Sequence, residues 1–369
     1  MPLSDRELEQ KITAPRSEET RRRDENLRDL RGFRSAIEIP TFCFEGGNRM
    51  IISRRHFLTQ VAIGMAVAPW MRELSWAQVK GKIGYMKIVD VAAMFMAVEK
   101  GFFKSEGLEL ETVPMAGGAV IVQGVTSGDL QIGWTNVISL YQAHVEGFDF
   151  KLVAAGASNV KDKKESHAIL VAQASPIKNA KALEGKTVAV NTLNNIVHLM
   201  ARAWIDKNGG NSSKVKFVEV PFPQMEAVLA AGRIDAASIH EPFATAAVEK
   251  GGARVLSQPW GDVLPKFLIA GWFASEKWIQ KNKATAQAFV SAIGRGVDAI
   301  HADPEASRAA MVKWAGLKPD LAGKIGLPVF EKNLSEKDLQ ATINLTHKYK
   351  LIPRTFKAAE LISDLAPKA

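Results

Sequence analysis

Most of the side chains that could bind a ligand stand directly after predicted strands. They are Asp90, Gly117, Gly118, Trp134, Thr135 and Asn136 in the first half of the chain, and Asn191, Thr192, Asn194, Asn195, Glu241 and Trp272 in the second. Loops of this kind lead into helix N-termini, whose free N–H groups and partial positive charge attract hydrogen-bond acceptors. Carboxylates, amides and aromatic rings at such positions predict a binding site for a small molecule.

Each of these residues also has a purely structural explanation. Gly117 and Gly118 suit a flexible turn as well as close approach of the backbone to a ligand, and the asparagine-rich run 191–195 suits a helix cap. Trp134 suits a core position as well as a ring that stacks on a planar ligand. Glu241 either orients its turn or faces a cleft, where it would bind a hydrogen-donating group.

The charge of the ligand stays open at this stage. Helix N-termini favour an anion such as a carboxylate or sulfonate, whereas Asp90 and Glu241 favour a ligand that donates hydrogen bonds. An amphoteric or aromatic organic molecule would satisfy both. No arginine stands at any of these loop positions, which argues against a strongly charged dianion.

The sequence lacks the usual signatures of catalysis and metal binding. The one cysteine, Cys43, precedes a predicted export signal, so the mature protein would have no thiol for disulfides, nucleophilic catalysis or metal sites. There is no His-Glu-x-x-His or Gly-x-Ser-x-Gly motif. Gly185-Lys186-Thr187 lacks the first glycine of a phosphate-binding loop, because Ala180 occupies that position. We therefore expect no catalytic residues, no metal and no cofactor.

The composition is that of an ordinary globular protein. The 369 residues are 47% hydrophobic and 24% charged, which is enough for two lobes with a core each. The net charge of +9 is dispersed, with basic and acidic residues interleaved as in the run 161–165. A dispersed basic surface predicts no nucleic-acid partner.

The first 77 residues predict an export signal behind an extension. Residues 1–49 carry many charges of both signs and little apolar periodicity, so we expect a disordered segment or a wrongly assigned extension, with translation beginning at Met50. In residues 50–77 the pair Arg54-Arg55 precedes an apolar run and a small-residue ending, which resembles a twin-arginine signal peptide cut before Gln78. We expect export by the twin-arginine machinery to the periplasm of a Gram-negative bacterium.

After residue 80 the sequence alternates short strands with helices, which predicts an α/β fold. We expect strands at 82–86, 108–114, 130–134, 150–155, 168–172, 187–191, 215–220, 236–239, 254–257 and 267–274. Helices dominate after residue 275, at 283–301, 304–314 and 337–348, the last of them behind a capping sequence that begins at Ser335.

One structural unit occurs twice along the chain. Strand, loop, helix, strand and helix follow one another over 108–146 and again over 215–250. In each copy a glycine ends the first helix and an aspartate turns the chain into the next strand, as Gly128-Asp129 and as Gly232 with Asp235. Two similar α/β lobes are therefore predicted, with the ligand outside the carboxyl ends of their strands.

Several segments carry a family resemblance. The run 97–108, AVEKGFFKSEGL, and the run 230–243, AAGRIDAASIHEPF, resemble ABC-importer binding proteins for sulfonates, nitrate and thiamine-pyrimidine precursors. The runs 183–190 and 272–275 fit the same family. The similarity spans nearly all of the chain after Lys80.

The resemblance implies a type II periplasmic-binding-protein fold, in which two α/β lobes are joined by a two-crossing hinge. We expect lobe one at 80–172 plus 275–369 and lobe two at 173–274, which would put Trp272 near the second crossing. The implied function is that of a monomeric extracytoplasmic receptor. It would capture a small organic molecule, such as a sulfonate, a carboxylate or an aromatic or pyrimidine-like compound, and deliver it to an ABC permease in the membrane.

Two other functions occur on the same kind of fold. One is an enzyme related to the pyrimidine synthase of thiamine biosynthesis, whose cysteine-rich motif is absent after Cys43. The other is the ligand-sensing half of a transcription regulator, which would need a DNA-binding module that residues 1–79 do not convincingly provide. The receptor is therefore the favoured interpretation.

Overall fold

The computed structural model describes residues 79–369. The predictions of an extension at 1–49 and of a signal peptide at 50–77 lie outside the described residues. Among the helices of residues 79–369, none is both long enough and apolar enough to cross a membrane.

Ten strands form two five-stranded sheets in this part of the chain. The first five are β1 (Val79–Tyr85), β2 (Leu108–Pro114), β3 (Ile132–Asn136), β4 (Phe150–Val160) and β5 (His167–Ala172). The others are β6 (Thr187–Val190), β7 (Lys216–Glu219), β8 (Ala236–His240), β9 (Ala253–Ser257) and β10 (Lys266–Ser275). Each predicted strand overlaps one of these, because apolar and β-branched runs bounded by turn residues are a strong strand signal.

Helices cover the two sheets. Those of the first half are α1 (Ala92–Glu99), α2 (Phe102–Ser105), α3 (Gly118–Ser127), α4 (Val137–Val145) and α5 (Ile196–Lys207). They are followed by α6 (Phe222–Ala230), α7 (Phe243–Glu249), α8 (Trp260–Val263), α9 (Glu276–Lys281), α10 (Lys283–Ala302), α11 (Pro304–Ala315) and α12 (Glu336–Lys348).

The two sheets share one strand order. The first runs β2-β1-β3-β10-β4 and the second runs β7-β6-β8-β5-β9. In each sheet the first three strands are parallel, and the fourth is antiparallel to both of its neighbours. Gly128 and Gly232 end corresponding helices with φ of 86° and 65°, a backbone region that favours glycine. The predicted repeat is confirmed.

The strand pairing shows where the chain passes between the sheets. β5 pairs with β8 and β9, so residues 167–172 belong to the second sheet, and β10 pairs with β3 and β4, so residues 266–275 belong to the first. The predicted lobe boundaries, 172/173 and 274/275, assign both strands to the other lobe. Each strand is an apolar run buried in its sheet, and such a run does not encode which sheet receives it.

Lobe one is used below for residues 79–160 plus 266–369, and lobe two for residues 167–257. The first crossing is the segment 161–166 and the second is the segment 258–265. In lobe one α10, the longest helix of the described residues, packs against α1. Gly296 on α10 packs against the carbonyl group of Ala93, where any Cβ would clash, and Phe289 meets the Trp272 ring edge-on at 5.4 Å. This packing fixes β10 and, through its pairing, the ends of β3.

Candidate functional site

Loops from both lobes face a single cleft. It encloses about 370 Å³ including its opening to solvent. Lobe one contributes the loop after β1, the start of α3, the end of β3 and one residue of β10. Lobe two contributes the loop between β6 and α5, the start of α6 and the end of β8, and the second crossing contributes Trp260.

Six of the twelve predicted binding residues line this cleft. They are Asp90, Gly118, Trp134 and Asn136 from lobe one, and Asn191 and Asn195 from lobe two. The rule that ligands collect beyond the carboxyl ends of strands therefore places them together, although their contact with a ligand stays a prediction.

Three predicted residues lie beside the cleft lining. Gly117 stands opposite Thr192 of lobe two, so that a Cβ on this glycine would lie 3.8 Å from the threonine Oγ1. Thr135 is completely buried directly behind Gly118, and any Cβ on Gly118 would collide with the Thr135 hydroxyl. The absence of a side chain at Gly118 thus lets the start of α3 approach the end of β3.

Asn194 joins the lobes through its main chain. Its φ of 59° is a conformation that asparagine tolerates better than most residues, and its carbonyl oxygen accepts a 2.9 Å hydrogen bond from Gln142 Nε2 of lobe one. Its N–H donates to His198 Nδ1 at 2.9 Å. Burial and the neighbouring Arg202 lower the pKa of His198 to about 4, so the ring stays neutral and keeps this acceptor.

Glu241 and Trp272 lie elsewhere. Glu241 lines a second cavity, which we term the back cavity, of about 760 Å³ including its opening. There the carboxylate accepts hydrogen bonds from the Thr245 N–H at 3.0 Å and the Thr245 hydroxyl at 2.6 Å. Trp272 is 1% exposed in the core of lobe one. It was expected near a crossing, but the second crossing precedes Lys266, so the tryptophan lies well inside β10.

Two asparagines of the cleft also cap helices, as their residue type predicts. Asn136 Oδ1 accepts from the Ser139 N–H of α4 at 3.2 Å and from the Ile196 N–H across the cleft at 3.3 Å. Asn195 Oδ1 accepts from the His198 N–H at the start of α5 at 3.1 Å. These side chains therefore already occupy N–H groups that would otherwise bind an anion.

A buried chain of hydrogen bonds starts at Asp90. Its Oδ1 lies 2.7 Å from His240 Nε2, across the cleft. His240 Nδ1 lies 3.3 Å from His167 Nδ1, and His167 Nε2 lies 2.8 Å from the Ser238 hydroxyl. All four side chains are buried.

One arrangement of protons satisfies this chain. A carboxylate only accepts, so His240 Nε2 donates to Asp90 and, in a neutral ring, its Nδ1 accepts from His167. His167 Nε2 then accepts from the Ser238 hydroxyl. Burial, followed by the proximity of His240, lowers the pKa of His167 well below its ordinary value, which is consistent with a neutral ring. The Asp90 carboxylate thus faces the His240 ring in the cleft, and His167 lies behind that ring.

Trp260 is positioned by the first crossing. The backbone N–H groups of Trp260 and Gly261 donate to the Glu165 carboxylate at 2.9 and 2.6 Å. The Trp260 ring stacks on His167 at 4.4 Å between centroids and lies 5.5 Å from the His240 ring. Burial raises the pKa of Glu165, and its two backbone hydrogen bonds oppose that shift. Glu165 therefore holds one segment of the hinge against the other.

Three residues that line the cleft carry polar atoms whose hydrogen-bonding capacity is unused. Within the described residues, Asp90 Oδ2, Trp134 Nε1 and Trp260 Nε1 are buried without a hydrogen-bond partner. Helix α3 starts at Gly118 without a side-chain cap. A buried polar atom without a partner costs free energy, so such atoms mark groups that a ligand can satisfy.

Sequence reasoning missed two aromatic residues of the lining, Phe222 and Trp260, and named His240 only as part of the loop that precedes α7. Phe222 follows β7 by three positions, so the strand-end rule could have found it. Trp260 follows no strand end on the cleft side. Its position depends on the crossing and on Glu165, for which the sequence gives no signal.

The chain is similar to known families of binding proteins. Residues 88–307, more than half of the chain, match a sequence profile described as NMT1/THI5 like. A protein of Escherichia coli K12 assigned as an aliphatic sulfonates-binding protein is 27% identical over 238 residues, which are 64% of this chain and 70% of that protein. A protein of Brachyspira hyodysenteriae assigned as an ABC transporter periplasmic binding protein is 23% identical over 243 residues, 63% and 68% of the two chains.

Solved structures share the fold. The alkanesulfonate-binding protein SsuA of Xanthomonas axonopodis pv. citri, bound to MOPS, superposes with a TM-score of 0.67 at 20% identity, over 77% of this chain and 98% of that one. The periplasmic nitrate-binding protein NrtA of Synechocystis PCC 6803 gives a TM-score of 0.62 at 15% identity, over 76% and 83%. The α/β periplasmic-binding-protein fold is thereby confirmed.

Proposed function

Because the chain belongs to the NMT1/THI5-like family, we propose that it is the solute-binding receptor of an ABC importer. Relatives assigned as sulfonate-binding and ABC-transporter binding proteins favour a receptor over an enzyme. The observation that carries the proposal is the pair of sheets with one strand order, whose strand ends meet at a single cleft with unpartnered buried polar atoms.

We propose that the ligand contacts Asp90, Gly118, Trp134, Asn136, Asn191 and Asn195, together with Phe222, His240 and Trp260. Support comes from their common position in the lining and from the hydrogen-bond capacity of the amides and the carboxylate.

The mechanism is closure of the two lobes about the crossings. In the described conformation several hydrogen bonds already join the lobes, including Asp90 to His240 at 2.7 Å and the Tyr349 hydroxyl to Asp206 at 2.9 Å. A ligand that contacts both lobes binds the closed form more tightly than the open form and so raises the closed population. The closed receptor then docks on its membrane permease.

Export is a part of this proposal. Residues 50–77 would direct the precursor through the twin-arginine machinery to the periplasm, where the mature chain acts as a monomer. A reporter fused to residues 50–80 should be exported, and replacing Arg54 and Arg55 by lysine should stop export. Export that continues in this variant would contradict the twin-arginine assignment. Peptides from residues 1–49 in the native precursor, detected by mass spectrometry, would contradict a start at Met50.

Nucleophilic catalysis finds no support in the cleft. Ser238, the hydroxyl closest to the buried histidines, is completely buried and donates into the chain that leads to Asp90. A nucleophile has to reach its substrate, so this serine lacks the access that hydrolysis requires. His167 therefore positions His240, and His240 in turn positions Asp90.

Small-angle X-ray scattering tests the receptor function. Native mass spectrometry of freshly purified mature protein identifies bound solutes, and a thermal-shift screen of organic amines, heterocycles, carboxylates and sulfonates extends the search. A stabilising ligand should reduce the radius of gyration, because the lobes close around it. A broad panel in which no solute binds, or binding that leaves the radius unchanged, would contradict the proposal.

A further inference from the structure

The cleft contains the buried carboxylate of Asp90, one oxygen of which makes no hydrogen bond within the described residues. Asp90 is 1% exposed; His240 occupies its Oδ1, while its Oδ2 has no partner among the described residues. An ionised oxygen in such a place is costly unless a ligand donates to it. The free oxygen therefore specifies a hydrogen-bond donor on the ligand.

No basic side chain of the described lining is left to bind an anionic ligand. Lysine and arginine are absent from the lining that residues 79–369 provide, and His240 is already engaged with Asp90. Asn136 and Asn195 occupy N–H groups at the starts of two helices. The uncapped start of α3 offers only partial positive charge, which suits a neutral acceptor group on the ligand.

Aromatic rings supply the apolar surface of the cleft. The Phe222 and His240 rings lie 6.1 Å apart at 30°, and the His240 and Trp260 rings lie 5.5 Å apart at 34°. Aromatic faces stack on flat molecules and attract cations more strongly when water is excluded. The aromatic rings and Asp90 therefore both favour a flat ligand that carries a positive charge or a hydrogen-bond donor.

We infer that the ligand is a flat organic molecule whose protonated or N–H-bearing nitrogen donates to Asp90 Oδ2. This inference rests on the proposed receptor function and deepens it. It separates this cleft from sites for sulfonate or nitrate, the anions in the names of several relatives, because the described lining has no lysine or arginine to bind an anion and its one histidine is engaged with Asp90.

Three molecules of one shape test the charge preference. Benzamidinium, benzamide and benzoate are isosteric and carry a positive, zero and negative charge. Titration calorimetry at pH 7.5 should give the order benzamidinium, benzamide, benzoate, with the cation at least tenfold tighter than the anion. Benzoate binding as tightly as benzamidinium, or no benzamidinium binding at millimolar concentration, would overturn the inference.

Two substitutions test whether Asp90 causes the preference. Asp90→Asn keeps an oxygen for His240 but removes the charge, and should weaken benzamidinium binding by about 10- to 100-fold, the loss expected for a charge-assisted hydrogen bond. Glu241→Gln removes a buried carboxylate of the back cavity and should leave the preference unchanged. An Asp90→Asn protein that keeps the wild-type preference would overturn the inference.

A third variant tests the charge preference even if the Asp90→Asn protein does not fold. Asn191→Asp adds a carboxylate to the lining at a partly exposed position, and should strengthen benzamidinium binding and weaken benzoate binding. Scattering distinguishes a wrong ligand class from a wrong receptor function. If benzoate or methanesulfonate binds and compacts the protein, the receptor function stands and only the ligand class is wrong. If no solute compacts it, the receptor function itself fails.

Discussion

The cleft and the back cavity contain similar residues in different states of pairing. The cleft has the Asp90 carboxylate, and the back cavity has the carboxylates of Glu165, Glu241 and Glu249. Glu165 accepts two backbone hydrogen bonds, Glu241 accepts from both Thr245 groups and Glu249 accepts from Lys324. One oxygen of Asp90, by contrast, has no partner within residues 79–369. The larger cavity is thus the one whose carboxylates are satisfied by the protein.

This difference separates structural from recognition roles. A buried carboxylate with both oxygens occupied stabilises the segments that donate to it, and its removal leaves those donors unpaired. A buried carboxylate oxygen without a partner lowers the stability of the fold until a ligand donates a hydrogen bond to it. Substitutions in the back cavity should therefore affect stability, and substitutions in the cleft should affect binding.

The largest effect on stability is expected for Glu165→Ala. It removes the acceptor of the Trp260 and Gly261 N–H groups, and two buried donors left unpaired cost about 3 kcal/mol or more in free energy of unfolding. Urea unfolding measures this loss. The control is Glu184→Ala, which removes a surface ion pair with Lys214 and should cost less than about 1 kcal/mol. Equal losses in the two variants would contradict the role of Glu165 in joining the two crossings.

The next effect concerns the protonation of two buried histidines, His198 and His167. The pKa of His198 is about 4 in the fold against 6.5 in the unfolded chain, so between these values the unfolded chain binds more protons. The stability is complete above pH 6.5 and is lost as the pH falls toward 4, by at most about 3 kcal/mol from this residue. His167, whose pKa is also lowered, adds a loss of the same sign.

Melting temperatures measured between pH 7.5 and 5 test this prediction. His198→Gln removes the titrating ring and should flatten the decline, leaving the part that His167 contributes. The matched control, His347→Gln, changes an exposed histidine and should leave the slope as in the wild type. A decline that is identical in all three proteins would contradict the assignment to His198.

The secondary structure and the repeat could be predicted because they depend on local patterns. Apolar runs, turn residues and helix caps are encoded within a few positions, as the glycines at 128 and 232 and the capping residue Ser335 illustrate. Sheet membership of β5 and β10 could not be predicted. It depends on which distant strands accept an apolar run, and Trp272 was placed near the hinge for that reason.

The candidate site was predictable to the level of loops and no further. His240 and Glu241 are neighbours at the end of β8, yet one lines the cleft and the other the back cavity. Adjacent residues at a strand end point to different sides, and the sequence does not say which side holds the ligand. The role of Trp260 depends on Glu165, which is far away in the chain.

A smaller effect is expected from Glu241→Gln. The amide nitrogen of glutamine cannot accept from Thr245, so the free energy of unfolding should fall by about 1–2 kcal/mol while the charge preference of the cleft stays unchanged. Asp90→Asn should do the reverse, with stability within about 1 kcal/mol of the wild type, because the amide oxygen keeps the hydrogen bond from His240. If Glu241→Gln weakened binding as much as Asp90→Asn, the distinction between the two cavities would fail.

The smallest effect is expected at the exposed contact between Gln142 of lobe one and Asn194 of lobe two, which we term the rim. Gln142→Ala removes the hydrogen bond to the Asn194 carbonyl, which joins the lobes at an exposed position, and should cost the closed form about 0.5–1 kcal/mol. Ligand affinity should fall two- to fivefold in calorimetry. The matched control is Gln131→Ala, whose side chain accepts from Lys82 within lobe one and should lower stability without changing affinity. Because only bonds between lobes distinguish the closed from the open form, equal affinities in both variants would mean that the rim does not contribute to closure.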